Sequence, residues 1–316
     1  MATGAGRAAG RPRLSRWGRS PYETDVQLAA ERAALADLVE VVEPGAPAEI
    51  IVVTSKDPVG EALRPRLGPV RLVLTTTSGF EHLDLELLRS LGIAAGRCPQ
   101  ARRDAVVESA LALLLDGLRA HGPLRAEAEA GRWARGGLHQ MGMRRVTGAE
   151  IGVVGLGVIG RRMAEVLTAL GARVLGHDPL GVPAGVEEVS LPEMFARAQA
   201  VSLHCRLEGG STGLVGRAEL DHARPGLVLV NTARGDVLDV EAALAALDAG
   251  RLGALGVDVF PTEPWPGMAA VGDRPRLCLL PHAAGYYDGL SDAILDELRG
   301  AISAWCAGLP LPAPVC

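Results

Sequence analysis

The sequence has almost no lysine: Lys56 is the only one, and the other basic residues are arginines spread among alanine, glycine and proline. No arginine run tracks one face of an element, which argues against a nucleic-acid-binding surface. Long apolar runs are also missing. Nothing approaches the roughly 20 consecutive apolar residues that a membrane-spanning helix needs. Cysteines are few and scattered, at Cys98, Cys205, Cys278, Cys306 and Cys316, with no CxxC and no paired histidines of the kind that zinc sites show. That usage leads us to expect a reduced, cytoplasmic protein without structural metal. There is no internal repeat and no long low-complexity tract. The start of the chain carries Arg7, Arg11, Arg13, Arg16 and Arg19 among glycine and alanine. It lacks the apolar h-region of a signal peptide and reads as a loose basic tail.

The residues that are present suffice for two domains. The 316 residues are 48% apolar and 22% charged, with a net charge of −5, and two domains of ordinary size can each bury a core. Between Asp25 and Gly96 an amphipathic stretch (Asp25 to Leu38) precedes apolar runs at Val39 to Val42, Ile50 to Thr54 and Val70 to Thr75. A helical segment follows at Leu83 to Leu91. Strands alternating with helices imply a parallel sheet covered on both faces. A strand before Asp25 is not visible, because Arg11 to Ser20 has almost no β-branched residues. From Asp104 to Ala120 apolar residues recur at helical spacing nearly all round the axis, as in a helix buried between layers. The Gly- and Arg-rich piece from Gly122 to Arg145 reads as an arm, with Trp133 expected in packing or in a subunit contact. A second domain opens at Glu150. Its strands read IGVVG, ARVLGHD, AVSLHC, GLVLVN, ALGVDV and LCLLP, separated by helical stretches, which is a doubly wound pattern. The segment Asp288 to Gly308 has a helical period and is expected to return to the first domain.

The first of those strands runs into Gly155-Leu156-Gly157-Val158-Ile159-Gly160 and then a helix. Gly155 suits the sharp turn, Gly157 lets a pyrophosphate approach the backbone, and Gly160 allows close helix packing. The amides near Val158 and Ile159 then sit at a helix N-terminus, where partial positive charge favours phosphate. Asp178 ends the next strand about 20 residues on, the place of an acid that binds the adenosine ribose hydroxyls. A carboxylate there repels a 2′-phosphate, so NAD is expected over NADP, with Arg173 and His177 as neighbours that weigh the other way.

Three further strands end in polar segments, NTARGDVLD, DVFPTEP and PHAAGYYD, where open α/β sheets gather their ligands. Each supplies a different ionisable group. The guanidinium of Arg234 has the rigid fork of donors that holds a carboxylate and polarises a carbonyl. His282 is a group able to give and take a proton near neutrality. Glu263 would fix the tautomer of that imidazole and favour its protonated form.

GLGVIG with Asp178, NTARGDVLD, GVDVFPTEP and PHAAG, in that order, resemble the signature segments of the D-isomer-specific 2-hydroxyacid dehydrogenase family. The likeness runs upstream through TTTSGFEHLDLELLRSLGI and the helix at Val106 to Leu115. The resemblance implies an α/β chain with a doubly wound Rossmann cofactor domain (residues 101–285) inserted into a smaller flavodoxin-like substrate domain (1–100 with 286–316). It implies hydride transfer between NAD and a D-2-hydroxy or 2-keto acid. Arg234 would bind substrate, His282 would be the acid/base, and Glu263 its partner. Amides at Ser78 and Gly79 would help hold the carboxylate. Asp258 would accept from the nicotinamide carboxamide, with Thr232, Ala233, His282 and Gly285 lining the cofactor. A homodimer joined through the cofactor domains is also implied.

Three departures from the family pattern stand out. A proline usual two residues after the histidine of the SLH segment is replaced in His204-Cys205-Arg206, and Arg206 is expected to contact the cofactor instead. Ser211 and Thr212 stand where a threonine-rich turn is usual. The small polar residue that often faces substrate is Arg102 here. A second guanidinium suits an acid with an additional anionic group, a phosphate, phosphonate or second carboxylate, and the competing reading is a solvated arginine at a helix start. Two alternatives to the dehydrogenase remain open. One is a non-catalytic NAD-sensing module of the same fold that binds partner proteins. The other is a phosphite-type dehydrogenase.

Overall fold

The structure, a computed structural model, describes residues 10–20, 22–207, 210–272 and 274–316. It divides into two compact units, Met1–Arg102 with Tyr287–Cys316, and Arg103–Tyr286.

The larger unit is built on seven parallel strands. In chain order they are β6 (Glu150–Val154), β7 (Arg173–His177), β8 (Glu187–Glu188), β9 (Ala200–Leu203), β10 (Leu227–Asn231), β11 (Leu252–Val257) and β12 (Leu277–Leu279). Their spatial order is β12-β11-β10-β9-β6-β7-β8. The order reverses between β6 and β9, whose registers pair Ile151 with Ala200 and Val154 with Leu203. Ligands of open α/β sheets collect at such a switch point, beyond the carboxyl ends of the strands. Strands β9 and β10 are buried along their whole length because helices cover both faces. One cover is the helix Arg103–Arg119, which buries Leu113, Leu114 and Leu118, each side chain contributing about 1.5–3 kcal/mol. A Cβ on Gly117 would lie 2.6 Å from Val228 Cγ1, so this helix rides on β10 at a distance that only glycine permits. The strand β8 is absent from the sequence expectation, since two glutamates carry no apolar pattern.

The smaller unit holds β1 (Arg13–Arg16), β2 (Glu40–Val42), β3 (Ile50–Val53), β4 (Leu72–Thr75) and β5 (Ala94–Arg97), parallel and ordered β2-β1-β3-β4-β5. That is the flavodoxin-like order. Strand β1 corrects two expectations at once. Arg13–Arg16 is a strand paired on both sides, to β2 and β3, so the described part of the basic start is not a loose tail; Arg7 lies outside the described residues. Its strand state comes from backbone pairing, with Leu14 and Ser15 buried. Arg16 is neutralised by Glu23 and by Glu31, the latter at 2.5 Å. The helix Leu290–Cys306 belongs to this unit, setting Ile294, Leu298 and Ile302 among Leu14, Ile50 and Leu72. Residues Ala313 to Cys316 run antiparallel to β5 through Arg97 N–H to Ala313 O (3.1 Å) and Val315 N–H to Ala95 O (2.9 Å). They close an edge that would otherwise expose unpaired backbone.

Both units are parallel sheets flanked by helices. The expected α/β class, doubly wound in the larger unit and flavodoxin-like in the smaller, is the class observed.

Candidate active site

The loop after β6 turns at Gly155, whose φ of +84° lies in the region that favours glycine. A Cβ there would meet the Cys205 amide at 2.4 Å, and one on Gly160 would meet the Gly155 carbonyl oxygen at 1.8 Å. Gly157 is different: a Cβ on it would meet nothing within 4 Å. The backbone is therefore open to a ligand on that side. Gly157 is also the N-cap of the helix Val158–Ala169 and no side chain caps it, leaving the first amides of the helix for an anion. Asp178, just past β7, accepts from Leu156 N–H at 2.6 Å and Leu180 N–H at 2.8 Å, which fixes its carboxylate beside the glycine loop. Its neighbours are engaged elsewhere, His177 through Nδ1 with Val189 O (3.0 Å) and Arg173 with Glu150 (3.5 Å).

Beyond β10 the buried Asn231 side chain closes a turn on itself. Its Oδ1 accepts from Ala233 N–H at 3.0 Å and its Nδ2 donates to Arg234 O at 3.0 Å. Arg234 leaves that turn with extended backbone and donates from Nη1 to Ala233 O at 2.7 Å. Gly235 follows because a Cβ there would lie 1.9 Å from the Phe260 carbonyl carbon. The arginine loop thus lies directly against the loop after β11. On that loop Glu263 accepts from Phe260 N–H at 3.1 Å through Oε1, while Oε2 meets His282 Nδ1 at 2.7 Å.

His282 is held in a left-handed conformation, φ +56°, uncommon for a residue with a side chain. Asp258 holds it there. The Asp258 carbonyl accepts from His282 N–H (2.8 Å) and its carboxylate from the amides of Ala283 (2.7 Å) and Ala284 (3.1 Å). Burial pushes the Asp258 carboxyl above the usual carboxylate range, and the two amides oppose that rise. Asp258 N–H in turn donates to Asn231 O at 2.9 Å. Arg234, Glu263 and His282, picked from three separate segments, are thus gathered at the ends of adjacent strands on one buried polar frame. With Nδ1 on the carboxylate, Nε2 of His282 is the nitrogen left to exchange a proton.

The sequence profile of the D-isomer specific 2-hydroxyacid dehydrogenase family, NAD binding domain, matches residues 111–284. The chain belongs to this family. It is 31% identical over 248 residues to a D-3-phosphoglycerate dehydrogenase of Mycobacterium leprae, covering 73% of this chain and 46% of that one. It is 32% identical over 234 residues to 4-methyl-2-oxopentanoate reductase A of Aspergillus oryzae, covering 71% and 70%. The chain spans about half the length of the phosphoglycerate dehydrogenases that it matches. Among solved structures, a D-lactate dehydrogenase of Aquifex aeolicus superposes with a TM-score of 0.81 at 23% identity, covering 94% of this chain and 96% of that one. That likeness establishes the shared fold.

The family's dinucleotide fits the residues present. The open face at Gly157 and the uncapped helix amides offer a cradle. The Thr232 hydroxyl, beside Ala233, is shielded from solvent and has no hydrogen-bond partner among the described residues, the state of a group awaiting a ligand. Gly285 follows the Asp258-bound amides on the histidine loop. Arg206 and Thr212 are exposed on the segment after β9, and residues 208 and 209 of the expected threonine-rich turn lie outside the described residues. Trp133 is 87% exposed, which excludes a packing role within the chain.

In the smaller unit, Ser78 and Gly79 lie on the loop after β4. Arg102 precedes the helix Arg103–Arg119 and donates from Nη1 to Thr76 O at 2.5 Å. The residue is half-buried there. Sequence reading missed Asn231 and the grip of Asp258 on the histidine loop. Asn231 carried a signal, since asparagine at a strand end is a turn former that bonds its own backbone.

His204 packs under the glycine loop, its Cβ 3.3 Å from where a Gly160 Cβ would sit. One ring nitrogen meets Ser202 Oγ at 2.9 Å, the other has no partner among the described residues, and burial pushes the imidazole down to about 4. Since the unfolded histidine titrates near 6.5, the unfolded chain binds the extra proton first. The His204 contribution to folding stability is therefore fully present above about pH 6.5 and declines as pH falls toward 4, by at most about 3 kcal/mol. In urea titrations between those limits, His204→Gln should have a flatter pH dependence than the parent. Parallel curves would contradict the burial.

Proposed function

We propose that the chain is an NAD-dependent D-2-hydroxyacid dehydrogenase. The observation that carries this reading is the 2.7 Å contact of His282 with Glu263 on loops beside that of Arg234. Bound NAD supplies or accepts the hydride at the substrate carbon. The glycine loop, with Gly155, Gly157 and Gly160 and the amides of Val158 and Ile159, holds its pyrophosphate, and Asp178 binds its adenosine ribose. Thr232, Ala233, Asp258 and Gly285 line the nicotinamide side, while Arg206 and Thr212 contribute on the adenosine side.

Arg234 binds the carboxylate of the acid and polarises the adjoining carbonyl; in the smaller unit, the amides of Ser78 and Gly79 suit an anion. In reduction, His282 gives the proton on Nε2 to the carbonyl oxygen as charge builds there. In oxidation it takes the hydroxyl proton back. Glu263 holds Nδ1–H, which keeps the ring in the orientation that points Nε2 at the oxygen and stabilises the imidazolium. Arg102 answers a second anionic group on the acid. The protein is read as cytoplasmic and as a homodimer joined through the cofactor domain, with the exposed Trp133 in the contact. No helix among the described residues is long and apolar enough to cross a membrane.

The test is an NADH-consumption screen over glyoxylate, hydroxypyruvate, 3-phosphohydroxypyruvate, oxaloacetate, phenylpyruvate and phosphonopyruvate, repeated with NADPH. At least one acid should be reduced, with NADH favoured over NADPH by about tenfold or more because Asp178 repels a 2′-phosphate. Tight NADH binding without turnover of any acid would overturn the reading in favour of a non-catalytic NAD sensor. NAD reduction by phosphite alone would replace the substrate class.

A further inference from the structure

The segment that carries Glu263 lies open to water. Pro261, Thr262, Glu263 and Pro264 are all exposed, and the Glu263 side chain keeps 38% of its surface accessible. A glutamate in such a setting has several rotamers open to it. A carboxylate that orients an imidazole must instead stay within hydrogen-bond reach of one ring nitrogen. Pro261 and Pro264 fix φ on either side of Glu263, so the segment moves as a unit and its place is set where its ends are anchored.

Those two ends meet. Phe260 is 6% exposed and belongs to the core that holds Leu229, Leu255 and Val257. Trp265 lays its ring on the Phe260 ring, with centroids 4.9 Å apart and planes 10° apart, within the range of offset stacking. The chain is shaped to admit the indole: a Cβ on Gly267 would lie 2.3 Å from Trp265 Cζ2. Phe260 is secured by its own burial. It also donates its N–H to Glu263 Oε1 at 3.1 Å, and its carbonyl carbon lies 1.9 Å from where a Gly235 Cβ would sit. Trp265 is only half-buried, at the margin of the same core. The stack therefore secures the far end of the segment.

We infer that Trp265 is a positioning residue: its stack on Phe260 closes the segment 260–265 and thereby holds the Glu263 carboxylate on Nδ1 of His282, a contact of 2.7 Å. All of these residues belong to the larger unit. The inference rests on the dehydrogenase reading above and goes beyond it, because Trp265 acts on proton transfer through Glu263. An aliphatic side chain can fill the space beside Phe260 but has no ring face to stack, which separates this role from simple packing.

The experiment measures keto-acid reduction by the full chain and its Trp265 variants. Trp265→Ala should lower kcat by about tenfold, with KM for the acid and for NADH within about twofold of the parent. Trp265→Phe keeps a ring and should recover most of that loss, whereas Trp265→Leu keeps bulk alone and should not. In a Glu263→Ala background no carboxylate is left to position, so adding Trp265→Ala should cost no more than about twofold further. Losses that multiply in that background, parent-like kcat in Trp265→Leu, or a raised KM at unchanged kcat would overturn the inference and leave the dehydrogenase standing. If Trp265→Ala does not fold, the contrast between the Phe and Leu variants decides. A second readout needs no turnover. In nitrogen NMR spectra of histidine-labelled protein at alkaline pH, the His282 signal, assigned by its loss in His282→Ala, should report the Nδ1–H tautomer in the parent. It should move toward the Nε2–H tautomer in Trp265→Ala as it does in Glu263→Ala, and an unchanged tautomer in Trp265→Ala would count against the inference. If the spectra change in this way but the parent reduces no keto acid, the dehydrogenase reading fails and the positioning role stands.

Discussion

His282→Ala is expected to lower kcat for keto-acid reduction by about a hundredfold to ten-thousandfold, with NADH affinity close to that of the parent. The alkoxide forming as hydride arrives needs a proton in the transition state, and Nε2 of His282 is the donor that the loop geometry leaves unengaged. Water can replace it only without the orientation that the Glu263 carboxylate imposes through its 2.7 Å contact with Nδ1. Glu263→Gln should lose less, about tenfold to a hundredfold. Its amide oxygen can still accept from Nδ1–H and keep the tautomer, but a neutral amide does not stabilise the imidazolium. Folding is a separate matter. Position 282 is left-handed, at φ +56°, so His282→Ala keeps the backbone strain of the parent, whereas His282→Gly should be equally inactive and no less stable. Steady-state kinetics with thermal unfolding of the three variants separates the two effects. A His282→Ala enzyme within tenfold of the parent would remove this residue from proton transfer.

The candidate catalytic groups were legible in the sequence because each lies on the loop after an apolar strand, buried in β10 and β11 and half-buried in β12. Strands β10, β11 and β12 are read from periodicity, and residues just past the carboxyl end of a buried parallel strand face ligand in this architecture. Gly155, Gly160 and Asp178 were legible for a related reason: each obeys a steric or electrostatic requirement that few residue types meet. Strand β1 was not legible. Arg13 to Arg16 carries no β-branched residue, and its pairing to β2 and β3 is supplied by segments more than 20 residues away. The charge of Arg16 is neutralised by Glu23 and Glu31 on the next helical region, a match made only by folding. The same holds for Arg102, since Thr76 lies 26 positions upstream. Sequence shows that an arginine stands there, but not that its Nη1 is bonded to the Thr76 carbonyl. Trp133 was legible as an arm residue, and its exposure narrows its expected roles to contacts outside the chain.

Asp258 carries the other large expected effect. Resemblance assigns its carboxylate to the nicotinamide carboxamide, yet that carboxylate also holds the amides of Ala283 and Ala284 at 2.7 and 3.1 Å, and its backbone carbonyl holds His282 N–H. The side chain is 1% exposed. Asp258→Ala therefore leaves two amides without an acceptor: that of the exposed Ala283 can turn to water, while that of the buried Ala284 costs about 1–3 kcal/mol. It also releases the segment that keeps His282 at its unusual φ. A catalytic group displaced by about 1 Å costs about a hundredfold in rate, so kcat should fall by that order even at saturating NADH. Asp258→Asn discriminates further. One amide oxygen can still accept, but the new NH2 opposes the Ala284 amide, so stability and kcat should lie between those of the parent and Asp258→Ala. Were Asp258 only a cofactor contact, its removal would raise KM for NADH while leaving unfolding in urea and kcat at saturation unchanged. Urea titration together with kcat at saturating NADH decides between a residue that touches cofactor alone and one that also sets the histidine loop.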